Sequence, residues 1–289
     1  MRPQVAILMS TYNGEDYIRE QLDSIFAQTY DNFLLYIRDD GSKDSTIQII
    51  REYELKYQGK IIILKDQLGN LGAYRSFLTL MQSVEAEYYM LADQDDLWKS
   101  NKVSQSIDLL ISEELKFGKD KPICVFCDAE VVDENLNPIC DSLWRYVYSR
   151  PEFAKDVYAL VVYQIPAYGC LVAFNSITLK RCLARKHLID RILHDALIVY
   201  TAAYEGVVAY IEEPLMKYRR HSRNVSDSHA LTLKLNDIKK DLIRTPFIIF
   251  QKINERYKLL KDFGVKDPSR VKILKIFIER FTKNKSLYM

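Results

Sequence analysis

The sequence lacks any apolar run near the roughly 18 residues that a membrane-spanning helix requires. The short run "VAILM" at residues 5–9 follows a single charge at Arg2, and it is too short for the apolar core of a secretory signal peptide. We therefore expect neither a membrane span nor a signal peptide, and we expect a cytoplasmic location.

Cysteine is sparse and odd in number, with five residues at 124, 127, 140, 170 and 182. An odd count without a signal peptide argues against a disulfide framework and favours a reducing compartment. Cys124 and Cys127 form a C-x-x-C pair, but no second pair follows it. The surrounding "ICVFC" is typical of a buried strand, in which the two thiols would point to opposite faces. A structural role is therefore favoured over a zinc or redox site.

Net charge is also nearly absent: 41 basic and 39 acidic residues leave +2, which gives no indication of a nucleic-acid partner. The distribution is uneven, however. Residues 231–289 hold 15 Lys and Arg against 6 Asp and Glu, a net +9, so the first 230 residues carry −7. With 289 residues and 48% hydrophobic content, the chain suits one large domain. We expect that domain at 1–228 and a basic helical extension at 229–289.

What is present is an alternation of strand and helix patterns over the first hundred residues. Amphipathic helical segments separate four short apolar runs, at 4–10, 32–40, 60–65 and 88–93. This order predicts right-handed βαβ crossovers and an α/β fold with a mostly parallel central sheet flanked by helices.

The second half is less regular. It predicts a hairpin at 135–138, an aromatic-rich loop or lid over 141–168, a helix capped at its end by Gly206, and two strands interrupted by Pro214. We expect residues 1–100 to form a nucleotide-binding half and residues 101–228 to form an acceptor half.

Polar groups follow three of the predicted strands: "STYN" at 10–13, "DDGSKD" at 39–44 and "DQDD" at 93–96. Ligands of such sheets bind outside the carboxyl ends of the strands, so these loops predict one shared site. Asp93, Asp95 and Asp96 are spaced to share a hard divalent cation, Mg²⁺ or Mn²⁺, whose open positions would bind a diphosphate. The alternative is a solvated acidic loop.

Three further groups could bind the nucleotide, act as a general base, or bind phosphate and metal at that site. Asp39 or Asp40 could accept the N–H of a uracil or thymine ring, with Tyr12 offering a ring face, or could lie in a plain turn. Asp195 near a helix N-terminus is either a capping carboxylate or a general base for a hydroxyl nucleophile. Within "YRRHSRN", an arginine and His221 suit phosphate and Mn²⁺, the alternative being a basic strand edge.

As a set, these motifs resemble the inverting family 2 glycosyltransferases, which have the GT-A (Rossmann-like) fold. The resemblance covers about residues 4–226 through "STYNGEDYIREQLDSIFAQTY", "IRDDGSKDST", "NLGAYRSF", "LADQDDLWKSNK", "YGCLVAFN", "HD" and "YRRHSRN". The branch it looks most like is that of bacterial rhamnosyltransferases that build cell-surface polysaccharides. Ala196 departs from the aromatic residue that often follows "HD" in that branch.

The resemblance implies specific roles. Asp195 would be the general base, and Asp93, Asp95 and His221 would bind the metal, with Asp96 adjacent. The nucleotide-sugar contacts would be Ser10, Thr11, Tyr12, Asn13, Asp40, Asn70, Asp93 and Arg219. The donor would be dTDP-rhamnose or a UDP-hexose, and the acceptor a glycan hydroxyl, expected to be lipid-linked.

Two alternatives to this function stay open. A sugar nucleotidyltransferase would need a glycine-rich phosphate loop after the first strand, where "STYNGE" has one glycine. A non-catalytic nucleotide-sugar-binding protein would be supported by loss of a carboxylate at 93, 95 or 195, and all three are present.

The basic extension contains an amphipathic helical pattern, with Val271, Leu274, Ile278 and Phe281 on one face and lysines around it. It predicts either a helix packed on the catalytic core or on another subunit, or an interfacial helix on an anionic membrane surface.

Overall fold

A computed structural model of the chain describes residues 3–162, 166–189, 192–222, 224, 258, 260 and 262–265. Contacts divide the chain into two compact units: Met1–Lys155 with Ile165–Ser222, and Asp156–Gln164 with Arg223–Met289. The predicted face of the basic extension, from Val271 to Phe281, lies outside the described residues. No helix in the described part of the chain is long and apolar enough to cross a membrane.

The first unit holds all nine strands of the described sheet. They are β1 Val5–Thr11, β2 Phe33–Asp39, β3 Ile61–Ile63, β4 Tyr88–Ala92, β5 Leu97–Trp98, β6 Ile123–Val132, β7 Pro138–Cys140, β8 Val172–Asn175 and β9 Val207–Arg219. Their order is β3-β2-β1-β4-β8-β6-β9-β5, and β7 pairs with β6.

α-Helices lie between many of these strands along the chain. They are α1 Ile18–Phe26, α2 Thr46–Lys56, α3 Ala73–Ser83, α4 Lys102–Phe117, α5 Leu143–Tyr146, α6 Ala159–Val162, α7 Ser176–Ala184 and α8 His194–Glu205, of which α6 belongs to the second unit. Short 3₁₀ turns lie at Pro151–Lys155, Gly169–Leu171 and Lys186–Leu188.

The first four strands in the sheet order are mutually parallel, as the strand–helix alternation predicts. Every residue of β4 is buried, as are all but one of β1, so these central strands carry apolar side chains on both faces. In register, Thr11 pairs with Asp39 and Met9 pairs with Ala92. The carboxyl ends of β1, β2 and β4 therefore lie side by side at one edge.

Beyond β4 the sheet becomes mixed, because β8 runs antiparallel to both β4 and β6. Met90 pairs with Ala173, so the start of β8 and the turn before it lie at the same edge as the end of β4. Strand β6 pairs in parallel with β9, and Val132 faces Arg219 at the end of that pair. The α/β fold class predicted from the sequence is confirmed.

One local prediction was wrong in detail. The segment around Pro214 is a single thirteen-residue strand, β9, whose register against β6 shifts at Asp128. Pro214 lies at this bulge, where a residue without an N–H is tolerated. The predicted hairpin at 135–138 is present between β6 and β7.

Gly206 follows α8 as predicted, but it does not adopt the left-handed conformation of a glycine cap, since its φ is −152°. A Cβ at this position would lie 1.8 Å from the carbonyl oxygen of Pro122. Glycine is therefore required because two backbone segments approach closely, rather than by the helix end itself.

Candidate active site

The acidic loop, Asp93–Asp96, connects β4 to β5 at the shared edge of the sheet. Asp96 is 1% exposed, and its Oδ1 accepts the backbone N–H of Arg219 at 3.2 Å. Its Oδ2 has no hydrogen-bond partner within the described part of the chain. Asp93 is half-buried, and its backbone oxygen accepts Nε2 of Gln21 at 2.8 Å. The loop is thus anchored through its backbone while carboxylate oxygens stay available.

Negative charge in this loop is poorly balanced. Burial raises the pKa of Asp93 to about 7, and the neighbouring charges of Asp95 and Asp195 add to that rise. Burial, followed by the charges of Asp95 and Asp93, also raises the pKa of Asp96 well above its ordinary value. Carboxylates are the ligands that hard divalent cations prefer, and a cation here would offset the repulsion. The donor set therefore fits Mg²⁺ or Mn²⁺.

Asp95 and His221, which lie 126 positions apart in the chain, meet in the structure. His221 Nε2 is 2.8 Å from Asp95 Oδ2. The imidazole stacks on the ring of Tyr17, with centroids 4.7 Å apart. Two of the predicted metal-binding side chains therefore contact each other, and the ring of Tyr17 packs against one of them. The third, Asp93, lies two residues before Asp95, directly after the end of β4.

Arg219 lies beside this pair, but it is almost fully buried and already engaged. Its Nε donates to the backbone oxygen of Asp95 at 2.8 Å, and Nη1 donates to that of Glu134 at 2.7 Å. Nη2 pairs with the carboxylate of Glu20, and the guanidinium lies 4.7 Å from the ring centroid of Tyr17. In this arrangement Arg219 organises the acidic loop, and its predicted contact with the nucleotide sugar stays a prediction.

The residues at the end of β1 and after it, which were predicted to contact the nucleotide sugar, form hydrogen bonds with neighbouring segments. Ser10 Oγ donates to Ser76 Oγ at 2.6 Å, and Thr11 Oγ1 donates to Asp39 Oδ1 at 2.9 Å. Asn13 adopts a positive φ of 46°, and its Oδ1 accepts the backbone N–H of Lys43 at 2.8 Å. The loops after β1 and β2 are thereby joined.

Tyr12 exposes 46% of its surface, as a side chain offering a ring face to a ligand would. Its backbone N–H donates to Gln94 Oε1 at 2.9 Å, and its carbonyl accepts Gln94 Nε2 at 3.0 Å. This reciprocal amide pair connects the loop after β1 directly to the acidic loop. Gly14 makes the approach possible, because a Cβ there would lie 2.3 Å from Gln94 Oε1.

The carboxylate of Asp40, unlike those of Asp93 and Asp96, accepts several hydrogen bonds. Arg38 Nη1, Leu71 N and Gly72 N all donate to its carboxylate, which is 2% exposed. Asn70 Nδ2 donates to the backbone oxygen of Asp40 at 3.0 Å. Asp40 and Asn70 therefore join the loops after β2 and before α3, and their predicted nucleotide contacts remain predictions.

Asp195 lies in the first turn of α8. Its charge contributes to the raised pKa of Asp93 and, after burial, to the raised pKa of Tyr74. Gly169 N–H donates to Asp195 Oδ2 at 3.1 Å, and Ala196 N–H donates to Oδ1 at 2.6 Å. These bonds hold the Asp195 carboxylate beside Gly169, whose neighbour Cys170 lies within 4.8 Å of carboxylate oxygens of Asp93 and Asp96, and the predicted role of Asp195 as a base stays a prediction.

His194, directly before it, is buried and stacks on Phe77 with ring centroids 4.4 Å apart. Neither of its ring nitrogens has a partner among the described residues, and burial lowers its pKa. The imidazole is therefore neutral at physiological pH and packs as an apolar ring.

Sequence reasoning missed four residues that shape this edge: Arg38, Gln94, Lys102 and Gly169. Lys102 is fully buried; its Nζ donates to the carbonyl of Cys170 at 2.9 Å and lies 4.7 Å from the ring centroid of Trp98. Two of them lie inside motifs that the sequence analysis singled out: Gln94 lies within "DQDD", and Arg38 directly precedes "DD" at 39–40. Their partners, however, are distant in the chain.

A separate cleft of about 570 Å³ opens elsewhere on the same unit. Lys99 and Glu130, which form an ion pair at 2.6 Å, lie in its wall together with Asp128, Trp144 and Glu212. The predicted loop segment contributes several of the lining residues: Asp141, Ser142, Trp144, Arg145, Ser149 and Pro151. The wall combines an aromatic ring with carboxylates, which suits a hydroxyl-rich ligand.

Comparisons with known proteins indicate the family and the fold. The sequence model described as glycosyl transferase family 2 matches residues 6–117, which contain β2 to β5, all of β1 except Val5, and the acidic loop. This match shows a family 2 glycosyltransferase domain in that part of the chain. The dTDP-rhamnosyl transferase RfbG of Shigella flexneri is 29% identical over 225 residues, covering 75% of this chain and 72% of that protein. An uncharacterized glycosyltransferase of Rickettsia typhi is 28% identical over 229 residues, covering 78% and 67% respectively.

Solved structures support the fold of this glycosyltransferase. The TarS protein of S. aureus, in complex with UDP-GlcNAc, superposes with a TM-score of 0.58 at 15% identity, covering 90% of this chain and 71% of that one. A mannosyltransferase of Pyrobaculum calidifontis, in complex with GDP-Man and Mn²⁺, gives 0.53 at 13% identity, covering 100% and 84%. The predicted GT-A fold is confirmed.

Proposed function

We propose that this glycosyltransferase is inverting and metal-dependent, and that it adds one sugar to a glycan hydroxyl in bacterial cell-surface polysaccharide synthesis. The observation that supports the proposal is the hydrogen bond from Gly169 N–H to Asp195 Oδ2, because the next residue, Cys170, lies within 4.8 Å of carboxylate oxygens of Asp93 and Asp96. A single displacement at an anomeric carbon needs a base on the side of the attacking hydroxyl and a group that binds the departing diphosphate on the other side.

The metal would be held by Asp93, Asp95 and His221, with Asp96 adjacent. Mn²⁺ or Mg²⁺ bound there would act as a Lewis acid toward the diphosphate leaving group. Tyr17 and Arg219 support this set, since the ring of Tyr17 stacks on His221 and Arg219 Nε holds the backbone of Asp95. Their part is to keep the ligands in place before the donor arrives.

The chemical step assigned to Asp195 is proton removal from the acceptor hydroxyl. The hydroxyl oxygen attacks the anomeric carbon, the bond from that carbon to the diphosphate oxygen breaks, and the proton passes to the Asp195 carboxylate. The nucleoside diphosphate departs with the bonding electron pair. Since attack comes from the face opposite the leaving group, the configuration inverts, and a β-linked rhamnosyl donor gives an α-rhamnoside. The N–H groups of Gly169 and Ala196 hold the carboxylate in orientation.

The nucleotide would lie over the loops after β1 and β2, with the exposed ring of Tyr12 against the base. Ser10, Thr11, Asn13, Asp40 and Asn70 shape this surface. Since Asp40 already accepts three hydrogen bonds, contact with a pyrimidine N–H would need one of these donors to move.

Rhamnose is the favoured sugar because of the similarity to the dTDP-rhamnosyl transferase of Shigella flexneri. A UDP-hexose is the other donor considered, since one structural neighbour was solved with UDP-GlcNAc. For the acceptor we propose a lipid-linked glycan, bound in the half formed by residues 101–228, where the cleft containing Trp144 offers an aromatic ring and carboxylates to sugar hydroxyls. Residues 229–289 would be an appendage that contacts a membrane surface peripherally or another copy of the chain.

A donor panel tests the proposal. The protein is incubated with dTDP-rhamnose, UDP-glucose, UDP-galactose, UDP-GlcNAc or GDP-mannose and Mn²⁺, and released nucleoside diphosphate is measured with and without an isolated lipid-linked acceptor. We expect one donor to be hydrolysed or transferred, with loss of activity in EDTA and in Asp195→Asn. Binding of a donor without turnover in any condition would support the non-catalytic alternative. The anomeric configuration of the product, read by NMR, tests inversion directly.

A further inference from the structure

Cys170 is the one described thiol that lies against the acidic loop. Cys170 lies in the 3₁₀ turn Gly169–Leu171 directly before β8, and β8 runs antiparallel to β4 with Met90 opposite Ala173, which brings this turn to the edge where Asp93 follows β4. The side chains follow the backbone: one ligand atom each from Asp93, Asp96 and Cys170 lies within 4.8 Å of the other two. This triad does not include Asp95 or His221.

The carboxylates of the triad have few hydrogen-bond donors, so a bound cation would stabilise them. Asp96 is 1% exposed and Cys170 is fully buried, and the described part of the chain gives Asp96 Oδ2 no donor beyond the weak one that the Cys170 thiol offers. A buried carboxylate oxygen left without a donor is costly. Of the buried cations nearby, Lys102 donates to the backbone carbonyl of Cys170 at 2.9 Å, and Arg219 Nε donates to the backbone oxygen of Asp95 at 2.8 Å.

We propose that Asp93, Asp96 and Cys170 form a second cation site, with one sulfur and two carboxylate ligands, that prefers thiophilic ions such as Zn²⁺ and Cd²⁺ to Mn²⁺. Sulfur ligands favour zinc-like ions, whereas oxygen ligands alone favour Mg²⁺ and Mn²⁺. Asp93 is half-buried and gives the ion a route from solvent, and a water can complete a four-coordinate shell.

The geometry requires only a local adjustment. Ligands about 2.0–2.3 Å from a tetrahedral ion lie about 3.5 Å apart, so binding would draw the three atoms together by little more than about 1 Å. The Cys170 thiol gives up its proton to buffer as the sulfur binds, so each ion bound releases one proton from that group.

The proposal deepens the proposed function, because it rests on Asp93 being shared with the site for Mn²⁺ or Mg²⁺. A thiophilic ion in the triad would occupy Asp93 and would therefore inhibit Mn²⁺-supported turnover. The first test below involves no sugar donor, so failure of the proposed function and failure of this inference are distinguishable.

Cadmium absorbance is the direct test, since a thiolate bound to Cd²⁺ gives an ultraviolet charge-transfer band. The parent protein carries Cys140→Ser, which removes the thiol that is only partly buried. We expect CdCl₂ to produce the band in this parent and in a control that also carries Cys182→Ser, a buried thiol on α7. We expect no band when Cys170→Ser is added. Circular dichroism and thermal unfolding establish that each variant is folded.

Asp96→Asn keeps the thiol and nearly the same shape, so it tests the triad even if Cys170→Ser does not fold. Loss of an outer-shell partner alone costs about 10–100-fold in metal affinity, so loss of this ligand should weaken Cd²⁺ binding at least about tenfold. If the proposed function holds, Zn²⁺ should inhibit Mn²⁺-supported turnover of the parent at about tenfold lower concentration than that of the Cys170→Ser form. No band in the parent, or a band that persists without Cys170, would overturn the proposal.

Discussion

Asp93→Asn should stabilise the metal-free protein, and this effect follows from the raised pKa of the carboxylate. Burial, assisted by the charges of Asp95 and Asp195, raises that pKa from 3.8 to about 7. In the unfolded chain the same carboxylate ionises near its ordinary value. Between about pH 4 and 7 the folded state therefore binds more protons than the unfolded state, so this group makes stability fall as pH rises. Above about pH 7 the loss is complete and constant.

The size of the effect has an upper bound. A rise in pKa from 3.8 to about 7, at about 1.4 kcal/mol per pH unit, corresponds to about 4 kcal/mol. Because Asp93 is half-buried rather than fully enclosed, solvent and relaxation reduce this value, and we expect about 1–3 kcal/mol at pH 8. At pH 5 the gain should be about a third of that, since most of the titration lies above this pH.

Urea denaturation in the presence of a chelator, at pH 5 and pH 8, measures the difference. Asp108→Asn, an exposed aspartate on α4, is the matched control and should change stability by less than about 0.5 kcal/mol. Adding Mn²⁺ should stabilise the wild type more than the variant, because the variant lacks a ligand. The reasoning is refuted if Asp93→Asn gives no gain at pH 8, or gives the same gain at both pH values.

Four further outcomes are expected. Asp95→Asn should abolish donor turnover and metal-dependent nucleotide binding in calorimetry while leaving the fold intact, and near-normal turnover in EDTA would contradict this. Asp195→Asn should bind donor and metal but lose about 10²–10⁴ in transfer rate; a parallel collapse of donor affinity would instead identify a binding residue. Gly206→Ala should cost about 1–3 kcal/mol or more in denaturation, since its Cβ would lie 1.8 Å from Pro122 O, and an unchanged midpoint would disprove the close approach. Truncation after Asp267 should abolish salt-sensitive binding to anionic vesicles and spare donor hydrolysis, and equal binding at low salt would exclude the membrane role.

The parallel half of the fold was predictable because each strand there is a short apolar run bounded by a turn and followed by an amphipathic helix. Such a pattern fixes both element type and topology, since βαβ crossovers have one hand. The second half was harder, because β8 inserts antiparallel between β4 and β6 and no local pattern specifies that pairing. The same difficulty hid the bulge at Pro214, which depends on the partner strand.

The site was predictable to the extent that strand ends converge. The end of β4 and the loop after β1 lie together because these two strands are parallel neighbours, whose carboxyl ends share one edge of the sheet. Cys170 lies in the site through the antiparallel pairing of β8, and Arg38 acts through Asp66 and Asp40 after folding. Contacts of that kind depend on which strands become neighbours, so residue type and spacing alone could not identify them.

Two clusters of aspartates at this edge look alike in sequence, yet they have different electrostatic surroundings. Asp39 and Asp40 each accept three or more hydrogen bonds, from groups that include Thr11 Oγ1, Ser42 N and the backbone N–H groups before α3. Asp93 and Asp96 have few donors, and burial raises the pKa of each. A carboxylate whose donors are supplied by the fold is stable without a ligand, whereas a buried one without donors gains from any cation that reaches it. Asp39 and Asp40 therefore suit a role in fixing loop geometry. Asp93 and Asp96 suit the binding of a cation that enters and leaves with the sugar donor.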